Sequence, residues 1–181
     1  MSLTVVYCGK VPSTQDIAWE RYVHHSIEKV AFWTDEQWAG RGRLGRKWLT
    51  PPKKAIAFSV SFSVNLNPAE NETLSSNLGR HLIGFLTHCF PTLKQSLKLK
   101  PPNDIYIEDK KVCGILIESK FRQNTIYALT VGVGINVFPY DFPEEIRATY
   151  LASVVNDLPP LPVLADMLTH ASFQFFKPYL I

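Results

Sequence analysis

No apolar run in this 181-residue sequence approaches the ~20 residues needed to cross a bilayer. Its opening MSLTVVYCGK also lacks the apolar core of a secretory leader. Both absences predict a cytoplasmic protein. Cysteine is scarce: Cys8, Cys89 and Cys113 are too widely spaced for a zinc site or a redox pair, and they read as free thiols of a reducing compartment. The five histidines form no H-x-x-x-H pair, which argues against a structural metal. There is no internal repeat, no low-complexity tract and no stretch resembling a linker. Neither sign of charge dominates, since the net charge is +3 and the pI about 8.7. What is left is a folded domain of ordinary hydrophobic content, 46%, long enough to bury a substantial core.

The charge that is present is unevenly placed. EQWAGRGRLGRKW, residues 36–48, holds Arg41, Arg43, Arg46 and Lys47 among three glycines, with Trp38 and Trp48 near its ends. Glycines let the main chain approach a ligand closely, and arginine forks match phosphate or carboxylate oxygens two at a time. Such a segment suits a loop that folds over an anion and is mobile without one, although a solvated basic loop or a grip on a nucleic-acid backbone fits it as well. A second stretch, LKLKPPNDIYIEDKKVCGILIES, ends a strand at Lys100 before a double proline, then sets Asn103 beside Asp104. Lysine offers a compact charge for a phosphoryl group, and Asn and Asp offer oxygens that Mg²⁺ takes. An ordinary turn has the same composition. Lys111, in the hairpin that follows, reads as a hairpin-surface lysine, with a phosphate partner as the alternative.

Around these segments the apolar periodicity predicts strands at LTVVYC, VAFW, LKLK, DIYI, KVCGILIES and TIYALTVGVGINV. The clearest strand is AIAFSVSFSV, residues 55–64: Ile56, Phe58, Val60, Phe62 and Val64 share one face, while alanines and serines form the other and invite close packing. Helices are predicted from Ser13, with Ile17, Ala18 and Tyr22 inward, and over 71–90, with Leu74, Leu78, Leu82 and Phe85 inward and Asn71 or Thr73 as the cap. A last helix follows the proline-rich 157–164. Few helices and many hairpins predict an α+β domain with a mixed, largely antiparallel sheet and helices against it.

In order and spacing, PSTQD (12–16), EQWAGRGRLGRKW (36–48), KPPNDIYIEDKKVCGILIES (100–119) and VGVGINV (131–137) resemble the biotin protein ligase family. The resemblance implies a single catalytic domain over 1–181, without an N-terminal helix-turn-helix or a C-terminal β-barrel. It implies a ligase that forms biotinyl-5′-AMP from biotin and MgATP and passes biotin to a lysine of a biotin carboxyl carrier protein. Monomer and homodimer remain equally open, and DNA binding is not expected. By the same resemblance Ser13, Thr14, Gln37, Gly42, Gly114 and Ile115 would meet biotin, while Arg41 and Arg43 would meet biotin and phosphate. Lys100 would stabilise the α-phosphate as the catalytic lysine, beside Arg41. Asn103 and Asn136 would lie near the nucleotide, and Asp104 near Mg²⁺. A lipoate or octanoate ligase relative and a non-catalytic binding module are the alternatives. Two departures stand out. Pro101 replaces the family's tryptophan, implying a looser pocket wall or another aromatic in its place. Cys113 replaces a small residue, implying an oxidisable thiol beside the pocket.

Overall fold

The computed structural model describes residues 3–25 and 29–181. Its elements in chain order are β1 (Thr4–Tyr7), α1 (Thr14–His25), β2 (Val30–Thr34), β3 (Ala55–Leu66), α2 (Pro68–Cys89), β4 (Leu97–Lys100), β5 (Asp104–Ile107), β6 (Lys110–Arg122), β7 (Thr125–Asn136) and α3 (Leu161–Phe176). The strands form one seven-stranded sheet in the order β1-β2-β3-β7-β6-β5-β4. Only β1 and β2 run parallel; every other neighbouring pair is antiparallel. The α+β expectation holds.

Period-2 alternation gives the sheet two unlike faces. On one, Ile56, Phe58, Val60, Phe62 and Val64 of β3 are buried together with Leu74, Leu78, Leu82 and Leu86 of α2 and Leu164, Leu168 and Phe176 of α3. The Phe62 and Phe176 rings lie 5.1 Å apart, and His81 of α2 hydrogen-bonds the Ala171 carbonyl of α3 at 3.0 Å. This is the core, where each fully buried side chain contributes about 1.5–3 kcal/mol. On the other face the pairs Ser59–Gly132, Ala57–Gly134 and Gly114–Gly134 line up across β3, β7 and β6.

That small-residue face lets α1 sit close. The Thr14 and Ser59 hydroxyls hydrogen-bond at 2.9 Å, Ser59 donates to Gln15 at 2.9 Å, Gln15 donates to the Thr130 carbonyl at 3.0 Å, and Tyr22 meets Ser63 at 2.9 Å. The inward residues of α1 are therefore Thr14, Gln15 and Ala18, with Ile17 and Tyr22 only half-buried. The sequence expectation gave Ile17 too large a part, because the face it meets is polar and small.

Helix α2 also starts earlier than its apolar stripe. Asn67 caps it, accepting from the Glu70 N–H at 3.0 Å while the Glu70 carboxylate accepts from the Asn67 N–H at 2.8 Å, with Pro68 opening the first turn. Asn71 and Thr73 are interior positions of the helix.

Candidate active site

The small-residue face leaves a hollow where α1 begins and the glycine-rich segment crosses the sheet. Its cavity has a volume of about 460 Å³, within the usual range for ligand sites. Gly132 and Gly134 form the floor: a side chain at Gly132 would overlap the Gln15 amide, and one at Gly134 the Trp48 indole. Every residue that the sequence reading placed in the site lines this one cavity: Ser13, Thr14, Gln37, Arg41, Gly42, Arg43, Lys100, Asn103, Asp104, Gly114, Ile115 and Asn136. Four separate stretches of chain thus converge.

The start of α1 forms one wall. A helix's first N–H groups have no partner within the helix; here the Thr14 N–H donates to the Gln37 side-chain oxygen at 2.7 Å. The Gln37 amide donates onward to Thr50 at 3.0 Å, which fixes it between helix and loop. Ser13 is buried, and its carbonyl accepts the Ile17 N–H at 3.3 Å.

The basic segment forms the roof. It folds back on itself through Trp48 N–H to Gly40 O at 2.9 Å and Gly42 N–H to Arg46 O at 2.7 Å. Leu44 and Gly45 supply the left-handed turn at its tip, with φ of 57° and 74°. The loop is tied to the sheet and to α1 by its arginines. Arg41 grips Glu118 through two hydrogen bonds of 3.0 and 2.9 Å and also pairs with Asp16 at 2.8 Å. Arg43 reaches Asn103 at 3.4 Å. Two carboxylates answer one guanidinium, and this offsets the repulsion among the four cations.

Lys111 requires a correction. It is no surface lysine: its side chain is only 25% exposed, its ammonium lies 2.7 Å from Asp104 and 5.3 Å from the centre of the Trp48 ring, and it lines the cavity. Its backbone is clamped as well, with N–H to Arg147 O and C=O to Thr149 N–H, both at 2.9 Å. Lys100, by contrast, is exposed at the end of β4 and rests against Tyr106, 4.7 Å from the ring centre. Hairpin spacing alone could not separate the two lysines. Simple odd–even alternation groups Lys111 with the core-facing Cys113 and Ile115; a bulge in β6 at Val112, where the register with β5 shifts, turns Lys111 back to the cavity side.

Both departures resolve physically. Pro101 is exposed and does not line the cavity, so the proline takes no wall from it; Trp48 supplies the large aromatic there. Cys113 points into the core instead, 1% exposed, and burial pushes its thiol up to about 12. The expectation of an oxidisable thiol beside the pocket is therefore overturned, since the thiolate is the reactive form.

The far wall pairs Asn136, which donates to the Thr149 carbonyl at 3.0 Å, with Tyr140, whose hydroxyl donates to Asn136 at 3.3 Å. The Tyr140 and Phe142 rings lie 3.9 Å apart, and burial raises the Tyr140 phenol to about 12. Asn103 is buried and donates to the Ile115 carbonyl at 2.8 Å. The Trp48 indole N–H is buried with no partner among the described residues, which leaves a donor for a ligand. Cations outnumber anions around the cavity: Arg43, Arg46, Lys47 and Lys100 stand beside the paired Lys111, Arg41 and Arg147, against Asp104 and Glu145. No group of three metal-ligating side chains occurs among the described residues, and Asp104 is committed to Lys111. The residues do not make a resident Mg²⁺ site.

Comparison with known proteins gives a consistent result. Residues 8–136 match the biotin/lipoate A/B protein ligase family. The bifunctional ligase/repressor BirA of Bacillus subtilis is 27% identical over 161 residues, covering 87% of this chain and 49% of that protein. The biotin–[acetyl-CoA-carboxylase] ligase of Paracoccus denitrificans is 32% identical over 109 residues, 56% of this chain and 42% of that one. The chain thus spans about half the length of these curated relatives or less. The biotin protein ligase of Aquifex aeolicus, solved with biotin and ATP, superposes with a TM-score of 0.71 at 32% identity, covering 98% of this chain and 73% of that one. The matched span takes in the helix start, the basic loop, the lysine hairpin and Asn136, and the chain belongs to the biotin/lipoate A/B protein ligase family.

Proposed function

We propose that the chain is an ATP-dependent biotin–protein ligase, activating biotin as biotinyl-5′-AMP and passing it to a lysine of a biotin carboxyl carrier protein. The observation that carries this reading is the convergence of Ser13, Gln37, Arg43, Lys111 and Asn136, from separate segments, on one glycine-floored and cation-rich cavity.

Activation is needed because a carboxylate is a poor acyl donor. In the first step a carboxylate oxygen of biotin attacks the α-phosphorus, and the bond to pyrophosphate breaks. Negative charge builds on the α-phosphate oxygens, and preorganised cations are most useful there. Lys111, fixed by Asp104, Trp48 and its own backbone, would meet that charge, together with Arg43 of the same cavity. Lys100, at the exposed rim, would meet the outer phosphates. Ser13, Thr14 and Gln37 would bond the polar head of biotin. The Tyr140–Phe142 pair beside Asn136 offers a flat face to adenine. Magnesium would arrive bound to the nucleotide's own oxygens. Once the adenylate has formed, the basic loop shields it from water.

The test is biotin-dependent exchange of labelled pyrophosphate into ATP by the purified chain, with no carrier present. Exchange that requires biotin is the expected result. A folded chain that binds biotin but gives no exchange would make the site a binding module only.

A further inference from the structure

A second cavity, of about 420 Å³, adjoins the first where the same loop meets β6. It shares Arg41, Gly42, Arg43, Arg46, Lys47 and Leu116 with the first, so the loop borders both. Ala39, Leu44 and Glu118 line only the second. Leu44, at the loop tip, is 90% exposed.

We propose that this second cavity is the passage through which the acceptor lysine reaches the acyl-adenylate, and that its lining delivers the amine in its neutral, nucleophilic form. The inference rests on the ligase reading above. The adenylate lies under the loop, so an amine carried by another protein has to arrive past the loop's edge, and the second cavity opens there between the loop and Leu116 and Glu118 of β6. Ala39, Leu44, Leu116 and the glycine backbone give an apolar channel suited to the four methylenes of a lysine stem.

The charges that face such an amine decide its protonation. From the loop come Arg41, Arg43, Arg46 and Lys47. From the β4–β5 hairpin come Lys100 and Asp104, and from β6 Lys111 and Glu118. Asp16 comes from α1, and Glu145 and Arg147 from the segment before the last helix. Asp104, Glu118 and Asp16 are already ion-paired, which weakens them as bases, and Asp109 pairs with Arg147, leaving Arg43, Arg46, Lys47 and Lys100 against Glu145. Cations therefore dominate. Like charge and an apolar channel both disfavour the ammonium form, so the acceptor lysine loses its proton to bulk water below its ordinary pKa of ~10.4. The free lone pair then forms the N–C bond to the acyl carbon, and the C–O bond of the mixed anhydride breaks. AMP leaves with the bonding pair, and the second amine proton passes to the departing phosphate or to water. The exposed cations of the rim favour a partner whose lysine stands on an acidic face.

The experiment is single-turnover transfer from enzyme-bound biotinyl-5′-AMP to a biotin carboxyl carrier domain, run beside pyrophosphate exchange and repeated across pH. Ala39→Trp plugs the channel from an exposed position that does not line the first cavity. Exchange is expected to stay within about twofold while transfer falls about tenfold or more. The wild-type transfer rate should level off well below pH ~10.4, and Lys47→Gln should move that profile upward by several tenths of a unit. Unchanged transfer in Ala39→Trp, equal loss of exchange and transfer, or a pH profile indifferent to Lys47 would each overturn the proposal. Absence of biotin-dependent exchange in the wild type would instead remove the ligase reading itself.

Discussion

At the residue scale, the two lysines of the KPPND hairpin exchange importance between sequence and structure. Lys100 stands in the motif position that draws attention, yet its ammonium lies at the rim against Tyr106. Lys111 is half-buried, oriented by a carboxylate, an indole and two backbone hydrogen bonds. A cation held in place before the reaction stabilises developing charge better than one that must reorganise. Lys111→Ala is therefore expected to lower pyrophosphate exchange by about a hundredfold or more, and Lys100→Ala by about tenfold at most. Measuring exchange for both variants at saturating ATP decides the order, and equal losses would return Lys100 to the centre. Ser13, Gln37, Arg43 and Asn136 came from the resemblance of their motifs to the family, and all four line the cavity. The inward side of Lys111 was not legible in the sequence, because a bulge at Val112 of β6 reverses the face that plain alternation assigns to it.

At the element scale, strands were easier to read than helix ends. The alternation of β3 is nearly unbroken, so its two faces and its small-residue side could be written down from residues 55–64. The start of α2 was set too late because its first turn, Pro68 to Asn71, has no large apolar residue to extend the stripe of Leu74, Leu78 and Leu82. The NPAE pattern carried the cap signal instead. Asn67→Ala removes the side-chain half of that capping box, the bond accepted from the Glu70 N–H, and is expected to cost about 1 kcal/mol of stability. Urea denaturation should register this as a lower midpoint with an unchanged slope. Pyrophosphate exchange should be unaffected, since Asn67 does not line the cavity.

At the scale of the whole molecule, burial ties stability to alkaline pH. The Cys113 thiol moves from an ordinary 9.0 to about 12 in the folded state, and the Tyr140 phenol from 10.0 to about 12. The folded chain keeps these protons where the unfolded chain has lost them, so the unfolded state binds fewer protons and stability declines with rising pH. The contribution is fully present below pH 9.0 and disappears as pH climbs toward 12. Urea midpoints measured from neutral to alkaline pH should fall beyond 9.0, and Cys113→Ala should make the first part of that fall shallower. An identical slope in the variant would mean that other groups dominate the alkaline loss. The α+β architecture was legible in sequence because hairpins and strand alternation are local. The position of β1 beside β2 was not, since a parallel pairing joins residues separated by a whole helix.

The floor of glycines has a consequence for how this pocket can change. Its volume comes from atoms the sheet does not have: at Gly114, Gly132 and Gly134 there is nothing left to remove. Substitution there can only narrow the site, one methyl or more at a time. Room for a bulkier ligand has to come from the opposite side, where Trp48 and the arginine-bearing segment have atoms to give up. Tolerance for new substrates is thus a one-way property of the sheet, and the capacity to widen resides in the loop.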